Sequence, residues 1–299
     1  MNIAGAAAAG DLFKICPHIN RESHPFEFGE AETRVVHVGH VAIGGPRPVV
    51  IAGPCSVESY EQTLELARAV KSAGADMLRG GAFKPRTSPH DFQGLGFEGL
   101  KILRDVSRQV GLPVVTEVMD TRLVDQVAEY ADMLQIGSRN MQNYPLLTEV
   151  GRRGKPVLLK RGMAASLCEW LGAAEYIAKE GNFDIVLCER GIKAYPSGEY
   201  SRFILDLNVI PAVRSATFLP IIVDPSHATG VAAMVEPASR AAIEFGSQGL
   251  IIEVGSERAD APRPRCDAAQ AIRPSVLARI VEFLEAREET SLRQKAHAV

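Results

Sequence analysis

Ile221-Ile222-Val223-Asp224-Pro225-Ser226-His227-Ala228-Thr229-Gly230 reads as a buried strand that delivers a carboxylate and an imidazole at its end, where a helix begins. Three β-branched residues in succession, with no polar alternate, suit a strand covered on both faces. The same grammar recurs on either side of it. Strand-like runs stand at Pro48–Gly53, Asp76–Gly81, Pro113–Val118, Asp132–Gly137, Pro156–Gly162, Asp184–Gly191, Pro220–Asp224 and Gly249–Gly255. Nearly all are continuous rather than alternating, the pattern of parallel strands packed between helices and a core.

Amphipathic stretches predict helices over Glu58–Ala73 (with Ser56 as N-cap), Phe97–Val110, Thr121–Tyr130, Asn143–Arg153, Ser166–Lys179, Asp206–Arg214, Gly230–Phe245 and Pro274–Arg287. Gly74, Gly111, Gly154, Gly181 and Gly246 fall where such helices stop. A strand–helix unit repeated eight times at roughly thirty-residue spacing predicts a single (β/α)8 TIM barrel of the α/β class. A doubly wound open sheet is the runner-up, but Gly80-Gly81 follows its strand without the GxGxxG spacing of a dinucleotide turn. The expected organisation is an arm with a short hairpin over residues 1–45, a barrel over 46–287 and a polar tail over 288–299. The alternating segment Val35 to Ile43 is expected to close the barrel's bottom.

Bulk properties narrow the function. Of 299 residues, 46% are hydrophobic and 23% charged, an ordinary globular composition. A net charge of −3 gives no reason to expect nucleic acid or an anionic membrane as partner. Cys16, Cys55, Cys168, Cys188 and Cys266 are odd in number, widely spaced and without a CxxC pair, which argues against a disulfide framework and for a reducing, cytoplasmic setting. No basic region precedes the Ala-rich N-terminus, so a signal peptide is not expected. No apolar run approaches the ~18–20 residues of a membrane helix.

In a barrel of this kind the C-terminal ends of the strands form the active site. They carry Cys55 and Ser56, Arg79, Glu117, Gln135 with Ser138 and Arg139, Lys160 with Arg161, Glu189 with Arg190, Asp224 with His227, and Glu253. Arg79, Lys84, Arg86, Arg139, Lys160, Arg161 and Arg190 would crowd one mouth. Some would pair with Glu117, Glu189 or Asp224, but not all seven, and bound phosphate or carboxylate groups would relieve the rest. Cys55, His227 and Glu253 end strands that become neighbours on closure, and Asp267 follows in the last loop. A mixed thiolate, imidazole and carboxylate set suits one divalent Mn, Fe, Co or Zn rather than Mg or Ca. Taken singly, Cys55 is more often a small buried residue; convergence of the set carries the metal reading. The loop Gly81 to Pro89, stiffened by Pro85 and Pro89, offers Lys84, Arg86, Thr87 and Ser88 as a cradle for a second phosphate.

Several long motifs share one resemblance. They are Ile51-Ala52-Gly53-Pro54-Cys55-Ser56-Val57-Glu58-Ser59, Arg79-Gly80-Gly81-Ala82-Phe83-Lys84-Pro85-Arg86-Thr87, Gln135-Ile136-Gly137-Ser138-Arg139-Asn140-Met141-Gln142-Asn143, Leu159-Lys160-Arg161-Gly162-Met163, Cys188-Glu189-Arg190-Gly191 and the stretch through Gly230. In that order they resemble 3-deoxy-D-arabino-heptulosonate 7-phosphate (DAHP) synthases, the smaller microbial branch related to 3-deoxy-D-manno-octulosonate 8-phosphate (KDO8P) synthases. The resemblance spans roughly residues 24 to 285. It implies a transferase of the shikimate pathway and of aromatic amino acid biosynthesis that condenses phosphoenolpyruvate with erythrose 4-phosphate and releases phosphate. It implies metal ligation by Cys55, His227, Glu253 and Asp267, and phosphoenolpyruvate among Arg79, Lys84, Gln135, Ser138, Arg139, Lys160 and Arg190. Lys84, Pro85, Arg86 and Thr87 would hold the aldose phosphate. Lys84 would protonate the new alkoxide, Glu117 would orient water, Lys160 and His227 would serve the reacting centre, and Asp224 would contact substrate or tune the site. A homodimer or homotetramer is expected.

The chain also departs from the family pattern. Lys193-Ala194-Tyr195-Pro196-Ser197-Gly198-Glu199 replaces Arg-Gly-Ile-Arg-Thr-Phe-Glu-type sequence after strand six, Gly255-Ser256 replaces His-Pro, and Ala268-Ala269 follows Asp267. A paralogue using another phosphorylated aldose, KDO8P synthase-like or of secondary metabolism, is therefore the alternative, and a non-catalytic phosphosugar-binding barrel a more distant one. The Lys84–Thr87 loop favours the four-carbon aldose, since KDO8P enzymes resemble Lys-Ala-Asn-Arg-Ser there. The arm before residue 45 is too short for the regulatory domains of some relatives, so no built-in aromatic feedback is expected, while a separate regulatory partner remains compatible.

Overall fold

The computed structural model describes residues 33–85, 88, 90–194, 202–258, 260, 264–266 and 269–296. A β-hairpin of β1 (Val36–Val38) and β2 (Val41–Ile43) leads into eight parallel strands, β3 (Val49–Gly53), β4 (Met77–Arg79), β5 (Val114–Glu117), β6 (Met133–Ile136), β7 (Val157–Lys160), β8 (Ile185–Glu189), β9 (Ile221–Val223) and β10 (Gly249–Glu253). These close into a barrel in sequence order, with β10 paired to β3 over five residues, Gly249↔Val49 to Glu253↔Gly53. The predicted (β/α)8 barrel is the architecture found.

The continuous apolar runs conceal an alternation. Val49, Ile51, Met77, Val115, Met133, Leu158, Val186, Cys188, Ile222 and Ile251 form one buried cluster together with Val36, Val38, Val41 and Ile43 of the hairpin. Their neighbours Val50, Ala52, Leu78, Val114, Leu134, Leu159, Leu187, Val223 and Ile252 join the cluster that includes the helices. Successive strand side chains point to opposite faces, so the first set fills the barrel and the second packs outward. The hairpin plugs the bottom, as expected from Val35 to Ile43.

The helices are α1 (Tyr60–Ser72), α2 (Phe97–Val110), α3 (Val124–Tyr130), α4 (Tyr144–Arg153), α5 (Leu167–Ala178), α6 (Val209–Ala216), α7 (Pro225–Thr229), α8 (Ala232–Glu244) and α9 (Pro274–Ala296). Three of the differences from expectation have a local physical reason. The N-cap of α1 is Ser59, whose Oγ accepts from Gln62 N; Ser56 instead donates to Glu58. The stretch after β9 is two helices, because Gly230 takes φ +71 and ends α7. The last helix continues through most of the stretch expected to be a polar tail, whose Glu, Arg, Gln, Lys and Ala are good helix formers. Among the described residues no helix is long and apolar enough to cross a membrane.

Candidate active site

The barrel's parity decides which strand-end side chains face the mouth. Two residues beyond an interior core position the chain again points inward. Met77 leads to Arg79, Val115 to Glu117, Met133 to Gln135, Leu158 to Lys160, Cys188 to Arg190, Ile222 to Asp224 and Ile251 to Glu253. Arg161 and Glu189 have the opposite parity and pair with each other on the outer side, Nη1 to Oε2 at 3.0 Å, with Asp206 a second partner at 2.8 Å. Arg161 thus belongs with the paired cations that were anticipated.

Above the core lies a cavity of about 200 Å³. Of the residues singled out in the sequence, Arg79, Lys84, Pro85, Glu117, Gln135, Ser138, Arg139, Lys160, Arg190 and His227 line it. Cys55, Asp224 and Glu253 are buried around it and do not border it. Arg86, Thr87 and Asp267 lie outside the described residues. The sequence reading missed Asp91, Met163, Arg202, Phe203 and Cys266, which also line the cavity. All five come from loops, where strand parity gives no signal.

The lining is strongly cationic. Arg79 is 5% exposed, and its Nε and Nη1 are buried without a hydrogen-bond partner. Buried guanidinium N–H groups without acceptors are rare and costly, and an anion in the cavity would satisfy them. The Arg190 guanidinium lies 4.1 Å from the centre of the Phe203 ring, which fixes its plane. Burial lowers the Arg190 pKa, and an anion would offset that desolvation. Gln135 Nε2 donates to Glu117 Oε2 at 3.3 Å, holding the carboxylate at the rim.

Asp224 organises the floor. Fully buried, it accepts from Lys160 Nζ and from His227 N at 2.9 Å, and its Oδ2 lies 2.7 Å from His227 Nδ1. Burial opposes its charge, but His227 and Lys160 outweigh burial and hold the carboxyl well below its usual range. An ionised Asp224 requires the proton of His227 on Nδ1, and burial lowers the imidazole pKa, which favours the neutral ring. Its Nε2 lone pair then faces Glu253 Oε1 at 3.3 Å, and that oxygen has no hydrogen-bond partner. Two acceptors pointed at each other in a buried site repel unless a cation lies between them. Against the pull of burial, His227, protonated in the acid range where this carboxyl titrates, together with Arg79 and Lys84 brings the Glu253 pKa down to about 2.

Cys55 is 8% exposed, and its Sγ lies 2.9 Å from Cys266 Sγ. The Cys266 contact and burial raise its thiol pKa well above normal. No group of three His, Cys, Asp or Glu side chains stands at metal-binding distance among the described residues, which do not include Asp267. The acceptor pair of His227 and Glu253 nevertheless fits a divalent ion, with Cys55 beside it. Burial pulls the Lys84 ammonium down, but Coulomb attraction to Cys55 and Glu253 outweighs it and raises its pKa.

Comparison with known proteins agrees with this geometry. Residues 25–293 match the model of the DAHP synthetase I family. The phospho-2-dehydro-3-deoxyheptonate aldolase of Thermotoga maritima is 48% identical over 239 residues, covering 80% of this chain and 68% of the relative. A 2-dehydro-3-deoxyphosphooctonate aldolase of Syntrophotalea carbinolica is 34% identical over 254 residues, covering 79% and 89%. The crystal structure of the Thermotoga maritima DAHP synthase superposes with a TM-score of 0.82 at 43% identity, covering 91% of this chain and 77% of that one. A truncated form of the same organism's 3-deoxy-D-arabino-heptulosonate 7-phosphate synthase gives 0.79 at 41%, covering 92% and 97%. With its closed barrel, cationic mouth and ordered motifs, the chain belongs to the DAHP synthetase I family.

Proposed function

We propose that the chain joins phosphoenolpyruvate to erythrose 4-phosphate with uptake of water, giving 3-deoxy-D-arabino-heptulosonate 7-phosphate and inorganic phosphate. The observation that carries this reading is the unmet pair of N–H groups on Arg79 directly beside the facing acceptors of His227 and Glu253. One feature calls for an anion and the other for a cation, and the two adjoin beside one cavity.

Arg79, Lys160, Arg190 and Arg139 would hold the carboxylate and phosphate of phosphoenolpyruvate, with Ser138 and Gln135 at its edge. Cys55, His227, Glu253 and Asp267 would hold one divalent ion, which when bound supplies Lewis acidity to the aldehyde oxygen. C3 of phosphoenolpyruvate then attacks the aldehyde carbon, water adds at C2, and the C–O bond to phosphate breaks. Lys84, protonated and close to Cys55 and Glu253, delivers a proton to the new alkoxide. Glu117, steadied by Gln135, orients the incoming water. Asp224 serves through Lys160 and His227, fixing the ammonium and the imidazole tautomer, rather than by touching substrate. The Lys84-Pro85-Arg86-Thr87 loop supports the four-carbon aldose.

The relatives also include an eight-carbon aldolase, and Arg202 and Phe203, which follow the divergent segment in sequence, line the cavity. A longer phosphorylated aldose is the second reading. Cys55→Ala tests the metal assignment: loss of bound Mn²⁺ together with at least a hundredfold fall in activity is expected, and unchanged metal content and turnover would contradict it.

A further inference from the structure

The two oxygens of Glu253 stand in different surroundings. Oε1 faces His227 Nε2 at 3.3 Å and Arg79 Nη2 at 3.1 Å without a hydrogen bond. Oε2 accepts from Gln270 Nε2 at 2.7 Å. Gln270 is itself 2% exposed, and its Oε1 accepts from Arg202 Nη1 at 3.2 Å. These contacts decide the orientation of the amide. A guanidinium has only donors and a carboxylate only acceptors, so one of the two amide flips satisfies both partners and the other satisfies neither. The backbone is tied as well: Ile272 N donates to Glu253 O, and Glu253 N donates to Ser226 Oγ at 3.0 Å.

We infer that Gln270 is a positioning residue which, oriented by Arg202, locks Glu253 so that Oε1 alone is presented to a divalent metal beside His227. The inference rests on the metal reading above and adds to it a residue that no strand-end pattern contains. Without the Gln270 donor, Oε2 would be a buried anionic oxygen with no partner. The carboxylate would then turn to take both oxygens to Arg79, the nearest cation, and withdraw Oε1 from the position beside His227. Arg202 also borders the substrate cavity, so one side chain adjoins both the substrate space and the clamp on Glu253.

The test is Mn²⁺ titration of chelator-treated protein, with free Mn²⁺ read by its electron paramagnetic resonance signal. Gln270→Met keeps the length of the side chain and removes its donor. Its Kd for Mn²⁺ is expected to rise roughly 10–100-fold over wild type. At saturating Mn²⁺ its kcat should recover, with the KM for phosphoenolpyruvate unchanged. Exposed Arg202→Met should weaken Mn²⁺ binding in the same direction by several-fold, and it carries the test should Gln270→Met fail to fold. Mn²⁺ affinities equal to wild type in the folded variants would overturn the inference and leave the metal reading intact. A wild type that binds no Mn²⁺ would overturn both.

Discussion

Single residues in this site act through the positions they force on their neighbours. A Cβ added to Gly81 would lie 2.6 Å from Lys84 Cε and 2.7 Å from its Nζ. The ammonium would have to move while the barrel strands stayed in place. Gly81→Ala is therefore expected to lower kcat by about 10²-fold or more, the scale of a displaced proton donor, with a thermal midpoint near wild type. A variant with unchanged kcat would remove Lys84 from that role. Glu253 sets a pH dependence. Its pKa lies below the ordinary 4.5, at about 2, so the unfolded chain binds the proton more readily than the folded one. Its contribution to stability is complete above 4.5 and disappears as the pH falls through about 2. Thermal melts of the metal-free protein over that interval should show a shallower pH slope for Glu253→Gln than for wild type. Equal slopes would contradict the depressed pKa.

At the scale of elements, the sequence made the strands legible because each apolar run is bounded by turn residues. It also contained the parity that separates Arg190 from Arg161, two residues on from Cys188 and three on from Leu158, although continuous apolar runs hide which face is which. Helix ends were harder. Ser56 and Ser59 are both plausible caps by type, and only the backbone angle at Ser59 decides between them. Loop residues such as Arg202, Phe203 and Gln270 follow no period, so nothing local announced them. The strands' starts share a further device. Asp76 Oδ2 accepts from Val50 N at 2.8 Å, Asp132 Oδ2 from Val114 N at 2.7 Å, and Gln248 Oε1 from Ile221 N at 3.1 Å. Each side chain meets an N–H in the first two residues of a neighbouring strand, at the end of the barrel remote from the cavity. Asp132→Ala leaves the Val114 N–H buried and unmet, which costs about 1–3 kcal/mol. Its thermal midpoint should fall by several degrees with kcat/KM unchanged, and a midpoint equal to wild type would show the bond to be dispensable.

For the whole molecule, closure of the barrel is what turns scattered motifs into a site. Cys55 and Glu253 stand nearly two hundred positions apart, yet β3 and β10 pair with Glu253 opposite Gly53. That pairing brings the segment of Cys55 alongside Glu253, which lies 3.3 Å from His227 Nε2, while the hairpin seals the other end. The family follows from this arrangement together with the relatives, and the choice of aldose is the point on which Arg202 and Phe203 bear. Phosphate release from phosphoenolpyruvate, measured with erythrose 4-phosphate and with arabinose 5-phosphate in parallel, with and without chelator, addresses both halves of the account at once. Rapid release with erythrose 4-phosphate, at least tenfold slower release with arabinose 5-phosphate, and loss of both on chelation are the expected results. Release that persists undiminished in chelator, or that occurs with arabinose 5-phosphate alone, would contradict the account.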